Sequence, residues 1–317
     1  LRLPAFFLLT MNDALATPNS PIPAAGTPPA VILPAADVFA TRAARFEHLS
    51  AGHALGDWLR FLAALSQAQH LCLQKVPAFP VRDDALLARA HEFGMPPLPA
   101  QSWPRDPVWR AILRCLCDDL PDAAPAPLRA AIADLAVRPA EDIEALAERI
   151  LHTELFGADA ALLPIVAAAL QVYWTRMAID LGAARIPPLD VAGVCPCCGF
   201  LPVASVVKTV GETANLRYLH CALCNTEWNL VRVKCAACDA TENIDYRHLE
   251  GPGLAHPEAV RAETCATCKS YLKIVYQEKG GLDPVADDLA TLALDILMDE
   301  AGYVRAGPNL LLVPGSD

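Results

Sequence analysis

Apolar residues recur every three or four positions through the first half of the chain, and beyond about residue 191 that period gives way to short β-leaning runs. Ser50 can cap a helix whose apolar face runs through Leu55, Leu59, Leu62 and Leu65. Asp83 can cap the next, which carries Leu86, Leu87 and Ala90 and is ended by Gly94. Asp106 followed by Pro107 pairs a capping residue with proline at the first helical position, and Val108, Ile112, Leu116 and Leu120 then share one face. Further helices are expected from about Pro127, Pro139 and Ala160. The last of these, reaching Leu181, is apolar nearly all round and should be the central, most buried helix. Pro187 and Pro188 close an all-helical N-terminal domain over residues 36–186.

Residues 1–35 read as a disordered tail, because proline and alanine crowd 17–34 with little to bury. A short apolar run ending at Leu9, with Ala14-Leu15-Ala16 after it, imitates a signal peptide, but Asn12 and Asp13 interrupt it. Met11 is the expected start. Strands are expected over 202–207, 216–220, 227–233, 244–249 and 271–277. Asp283-Pro284 should open a closing helix with Val285, Leu289, Leu292, Ile296 and Leu297 in register, ending near Gly302. This helix is expected to pack back on the preceding modules or on the helical domain. Asp287 and Asp288 in its first turn, like Asp118/Asp119 earlier, suit solvated or dipole-directed positions.

Composition narrows the function. The 317 residues are 54% hydrophobic but only 6% aromatic, which suits packed helices. With 25 basic against 36 acidic residues the net charge is −11, which argues against gripping phosphate backbones and against a polybasic membrane anchor. Between Cys195 and Gly280 nine Lys/Arg meet nine Asp/Glu, so a nucleic-acid face is not expected there either. No stretch reaches the ~20 apolar residues of a membrane span.

The cysteines carry the chemistry. Twelve are present, nine of them from Cys195 to Cys268, and eight form the pairs Cys195/Cys198, Cys221/Cys224, Cys235/Cys238 and Cys265/Cys268. Cys-x-x-Cys spacing suits two ligands of one metal far better than a disulfide, and so points to a reducing compartment, the cytoplasm. Twenty-two residues separate the first pair from the second and twenty-six the third from the fourth, against ten between the second and third. The longer gaps accommodate two strands and a turn, so the first pair should join the second and the third the fourth. The expected architecture is α+β and multidomain: the helical domain, then two tandem rubredoxin-like or zinc-ribbon modules over 187–231 and 232–280, then a C-terminal helix and tail over 281–317. Gly199, Asn225 and Asp239 follow their knuckles and tolerate the left-handed backbone needed there; Lys269 is a less usual choice.

Thiolate sets of this kind hold zinc or iron. Four ligands each leave no open position for hydrolytic chemistry. Cys197 reads as a spectator inside the first knuckle, and His220 as a weak competitor for a thiolate position. Cys115 and Cys117 point to different helix faces, and Cys72 is equally bland. No phosphate-binding glycine loop, nucleophile elbow or zinc-peptidase motif is present. Glu227, Arg232, Lys234 and Glu263 are the exposed polar candidates for partner contact.

Residues 217–238 (RYLHCALCNTEWNLVRVKCAAC), 262–273 (AETCATCKSYLK) and 276–279 (YQEK) resemble the formate dehydrogenase accessory protein (FdhE) family. The knuckle CPCCG at 195–199, ADDLA at 286–290 and LALD at 292–295 extend the likeness, which is strong over 190–315. Gly280-Gly281, where charged residues are expected, and residues 1–9 depart from it. The resemblance implies a helical domain joined to two rubredoxin-like modules in a cytoplasmic, non-catalytic factor required for active formate dehydrogenase. It implies action on the catalytic subunit that carries molybdenum and selenocysteine. Iron is favoured over zinc, with all eight paired cysteines as ligands of two mononuclear sites. Electron transfer of the rubredoxin kind is the alternative function.

Overall fold

A computed structural model describes residues 7–11, 28–79, 84–120, 124–157, 161–250 and 257–312. Two short strands come first, β1 (Phe7–Met11) and β2 (Val31–Ile32). Both pair with the C-terminal half, β1 with β6 (Ile244–Glu250) and β2 with β5 (Glu227–Asn229). The expected disordered tail over 1–35 is therefore corrected at these segments: edge strands downstream supply the hydrogen bonds that the local composition does not advertise. Ala14–Ala16 and the rest of 12–27 lie outside the described residues.

Seven helices follow among the described residues: α1 (Val38–Ser50), α2 (Gly56–Lys75), α3 (Asp84–Glu92), α4 (Val108–Asp119), α5 (Ala126–Val137), α6 (Ala140–Leu151) and α7 (Leu163–Leu181). Ser50 ends α1 instead of capping α2, its hydroxyl donating back to the Glu47 carbonyl. The turn behind it brings Gly56 so close to the Ser50 carbonyl that a Cβ would sit 2.7 Å from the oxygen. Leu59, Leu62 and Leu65 are fully buried, as their spacing demands. Asp106 accepts from the Val108 N–H at 2.9 Å and starts α4 as expected. Gly94 turns the chain after α3 at φ +56°. Asp83 and Ala160 lie outside the described residues. Sixteen of the nineteen residues of α7 are buried, and α2, α4 and α6 pack around it.

A charged tie holds α4 to α6. Glu144 accepts from Trp109 Nε1 and Arg105 at 2.9 Å and from Arg110. Burial opposes its ionisation, but the two guanidiniums and the indole outweigh it and hold the carboxyl below its usual range. The stability it contributes is present above the ordinary carboxylate pKa of about 4 and is lost as pH falls through the depressed value. Glu144→Gln should therefore lower the thermal midpoint at neutral pH and narrow the gap to wild type on acidification; equal gaps at pH 7 and pH 3 would contradict this.

The C-terminal half forms one sheet. Its remaining strands are β3 (Pro202–Val210), β4 (Thr213–Cys221), β7 (Val260–Cys265), β8 (Ser270–Tyr276) and β9 (Val304–Arg305). The order is β1-β6-β7-β8-β3-β4-β5-β2, with β9 on β8. The two cysteine modules are therefore not beads on a string. Parallel pairing of β3 with β8, Ser205 opposite Ile274 and Val206 opposite Val275, fuses their antiparallel halves. The closing helix is broken at Thr291 into α8 (Pro284–Ala290) and α9 (Leu292–Glu300), because Thr291 turns its hydroxyl onto the Asp287 and Asp288 carbonyls. Asp283 caps α8 by accepting from the N–H groups of Val285 and Ala286. The two pieces divide the expected docking: α8 packs against α1, β3 and β8, while α9 lies against β6 and β9 of the same sheet, burying Leu294 and Met298.

Of the two settings expected for Asp287 and Asp288, the solvated one does not hold, while Asp287 keeps its place in the first turn of α8. Both are buried, Asp287 gripped by Arg45 and Asp288 by Arg305, Lys273 and Asn309. Carboxylates removed from water need such partners. Among the described residues no helix is long and apolar enough to cross a membrane.

Candidate metal centres

Each cysteine pair sits in a knuckle whose backbone is wound by local hydrogen bonds. The N–H of Cys195 donates to Phe200, that of Cys221 to Thr226 and that of Cys235 to Ala240, while Gly199, Asp239 and Lys269 return N–H bonds to Cys195, Cys235 and Cys265. Closing these turns requires a left-handed residue after the second cysteine. Gly199, Asn225, Asp239 and Lys269 hold it at φ +71°, +58°, +62° and +57°. Lys269, the unusual choice, obeys the same geometry.

The knuckles meet in two boxes. Cys195, Cys198, Cys221 and Cys224 form one, Cys235, Cys238, Cys265 and Cys268 the other, with the four sulfurs of each within 4.8 Å of one another. Contacts across the first box are 3.6 Å (Cys195–Cys224) and 3.4 Å (Cys198–Cys221); across the second they are 3.8 Å (Cys235–Cys268) and 3.7 Å (Cys238–Cys265). A tetrahedral ion with metal–sulfur bonds of ~2.3 Å needs edges of about 3.8 Å. The soft donor set and this spacing suit a thiophilic ion, so both groups could bind a metal ion. Sequence spacing paired the knuckles as the fold does.

The boxes differ in their surroundings. All four sulfurs of the first are fully buried and belong to the core that includes α7. In the second, Cys238 and Cys268 are exposed. Without an ion the first box concentrates charge on one sulfur. Burial pushes the Cys195 and Cys198 thiols well up, whereas at Cys224 the hydrogen bonds from Cys195, Cys197, Cys198 and Cys221 overcome burial and hold it well down. In the second box burial acts against Cys268, but hydrogen bonds from Ser270 and Cys238 bring it to about 7. At Cys238 a hydrogen bond from the Ala240 backbone favours the thiolate; desolvation and the neighbouring sulfurs win and push it up to about 12. Backbone N–H groups of Leu223 and Cys224 point at the Cys221 sulfur at 3.4 Å, and that of Ala237 at Cys235 at the same distance.

His220 does not enter the first box. Its ring spans Glu227 Oε1 and Asn225 Oδ1, each at 3.2 Å. Cys197 is fully buried beside Cys224, and its hydrogen bond to that sulfur, with burial, pushes its own thiol up.

Two buried arginines bind the boxes to the rest of the fold, and the sequence reading assigned a role to neither. Arg42 of α1 donates to Asp283 at 3.2 Å and to Asn225 Oδ1 at 2.8 Å, and Asn225 donates on to Thr175 of α7 at 2.8 Å. Arg217 of β4 donates to Ser205, to the carbonyls of Arg232 and Lys234, and to Glu263 of β7 at 2.6 Å; Tyr246 completes the Glu263 shell at 3.0 Å. Glu227 and Glu263, expected to be exposed partner contacts, are corrected: both are buried in these ion pairs, Glu227 with Lys208. Arg232 is exposed and Lys234 half-exposed.

Comparison with known proteins agrees with this architecture. Residues 27–190 match the family model described as FdhE, N-terminal, residues 194–232 that of the FdhE central domain and 233–312 that of the FdhE C-terminal domain. The Protein FdhE homolog of Pseudomonas aeruginosa is 38% identical over 309 residues, 97% of this chain and 100% of that one. The homolog from Edwardsiella ictaluri is 42% identical over 283 residues, 88% of this chain and 89% of its own. The crystal structure of the FdhE protein from Pseudomonas aeruginosa superposes with a TM-score of 0.82 at 38% identity, covering 91% of this chain and 100% of that one. Three domain models in order and relatives matched over nearly their whole length leave one assignment: the chain belongs to the FdhE family.

Proposed function

We propose that this chain is a cytoplasmic, non-catalytic accessory factor for the maturation of formate dehydrogenase that binds the enzyme's catalytic subunit. Its eight paired cysteines are the ligands of two mononuclear ions, iron in preference to zinc, which hold a rigid docking scaffold together. The observation that carries this reading is the pair of four-sulfur boxes fused through one sheet in an FdhE-family chain. Closed four-ligand sites favour shape over catalysis. The working divisions are a helical unit to about residue 186, a first module to 231, a second to 280, and the closing helices beyond. Deleting the gene should abolish formate dehydrogenase activity, and the intact gene should restore it; unchanged activity in the deletion strain would end the proposal.

The two exposed sulfurs of the second box favour one other reading, electron exchange through bound iron of the rubredoxin kind. Such an ion would supply one-electron chemistry near the surface. The absence of a reversible couple in iron-loaded protein would remove that reading and leave the scaffold.

Cys197 separates ligand from bystander. Cys197→Ser should keep two metal equivalents per chain, whereas Cys195→Ser should lose one. Metal analysis of both variants checks this, and loss in Cys197→Ser would show that the first site recruits a different thiol.

A further inference from the structure

Two sulfurs outside the boxes also touch. Cys72 of α2 and Cys115 of α4 lie with Sγ atoms 2.9 Å apart, closer than the 3.4–3.8 Å contacts quoted for the boxes, although 43 residues separate them. Cys72 is buried in the helical core and Cys115 is half-buried at its edge. The next acidic group is Asp119, with Oδ2 3.9 Å from the Cys115 sulfur. Two thiols and one such carboxylate are a poor metal set, and among the described residues only the two boxes gather enough ligands for an ion. Cys117, two residues on, turns to the core, where burial pushes its thiol up to about 11.

We propose that Cys72 and Cys115 are a redox modification site, forming a reversible disulfide with a mild two-electron oxidant of the peroxide class and pinning α2 to α4. Cys115 is the accessible partner. Its thiolate attacks peroxide, the O–O bond breaks, and the departing hydroxide takes up the proton that the Cys115 thiol released, leaving a sulfenic acid and one water. The Cys72 thiol then attacks that sulfur; the S–S bond forms, the S–O bond breaks, and hydroxide leaves with the Cys72 proton as a second water. Two thiols are oxidised to one disulfide while one peroxide is reduced to two waters. Burial pushes the Cys72 thiol well up, with the neighbouring Cys115 adding to it, which leaves the first attack on peroxide to Cys115. Bonding at ~2.05 Å needs the sulfurs to close by about 0.9 Å. The cross-link constrains the unfolded chain and so stabilises the helical domain.

The test treats metal-loaded full-length protein with one equivalent of hydrogen peroxide, alkylates it and digests it with trypsin without reduction. Residues 61–75 carry Cys72 alone, and 115–129 carry Cys115 and Cys117. The expected product joins these peptides at a mass two hydrogens below their sum, with fragment ions placing the bond on Cys115. A thiol reductant should separate them. Oxidation should raise the thermal midpoint by roughly 5 °C in wild type and in Cys117→Ser, but not in Cys72→Ser or Cys115→Ser. Unlinked peptides in oxidised wild type, or a bond mapped to Cys117, would overturn the proposal.

Discussion

Replacing Cys221 by serine is expected to empty the first box and to unfold the helical domain with it, whereas Cys268→Ser should empty only the second box. The asymmetry follows from what holds each knuckle. Carbonyls of the first knuckle accept from the helical domain, that of Cys197 from the Leu98 N–H at 3.0 Å and that of Cys198 from the Ala100 N–H at 2.8 Å. The second pair's Ala222 accepts from Gln171 of α7 at 2.8 Å. All four sulfurs are buried in the common core, so losing the ion leaves repelling or unsatisfied sulfur where α7 must pack. Structural ions of this class contribute roughly 10–16 kcal/mol in small domains, comparable with the ~5–15 kcal/mol that stabilises a whole fold. Around the second box, the knuckle bonds quoted above are local and two sulfurs face solvent. Metal content and far-ultraviolet circular dichroism distinguish the cases. Cys221→Ser with two ions and an unchanged melt would contradict both the ligand assignment and the structural role.

Arg42→Leu should be the most damaging change away from the cysteines. The arginine is fully buried and joins three elements: α1 through its own backbone, α8 through Asp283, and the second knuckle through Asn225. Removing it strands a buried carboxylate that also caps α8, and frees Asn225 from the orientation that lets it reach Thr175. Breaking one side of a buried pair costs about 3–5 kcal/mol. Asp283→Asn added to Arg42→Leu keeps a cap acceptor while removing the stranded charge, so it should recover part of the loss. Urea midpoints with unchanged slopes measure both steps. A single-variant loss under ~1 kcal/mol would mean that the arginine is not the joint described here.

The boxes were legible because their information is local. Cys-x-x-Cys spacing fixes the knuckle, the residue after it reports the left-handed turn, and the lengths of the intervening runs choose the partners. The all-apolar sequence of α7 likewise placed it at the centre. Charge was misread where the partner is remote: Glu263 looks like a surface residue until Arg217, 46 positions away, is brought against it, and Asp287 until Arg45 arrives from 242 positions away. β7 escaped notice for a related reason: Arg261 and Glu263 interrupt its apolar pattern, and Glu263 is accommodated in the sheet by its remote partner Arg217. Parallel pairing of β3 with β8 and the meeting of Cys72 with Cys115 are products of topology alone, with no local signature.

The most direct test of the proposed accessory role is a gentle, anaerobic pull-down from an extract of the native cells, wild type beside the Cys221→Ser/Cys224→Ser double variant, read by mass spectrometry. Enrichment of the formate dehydrogenase catalytic subunit with wild type but not with the double variant is the predicted result. Recovery of no such subunit with metal-loaded wild type would contradict the account.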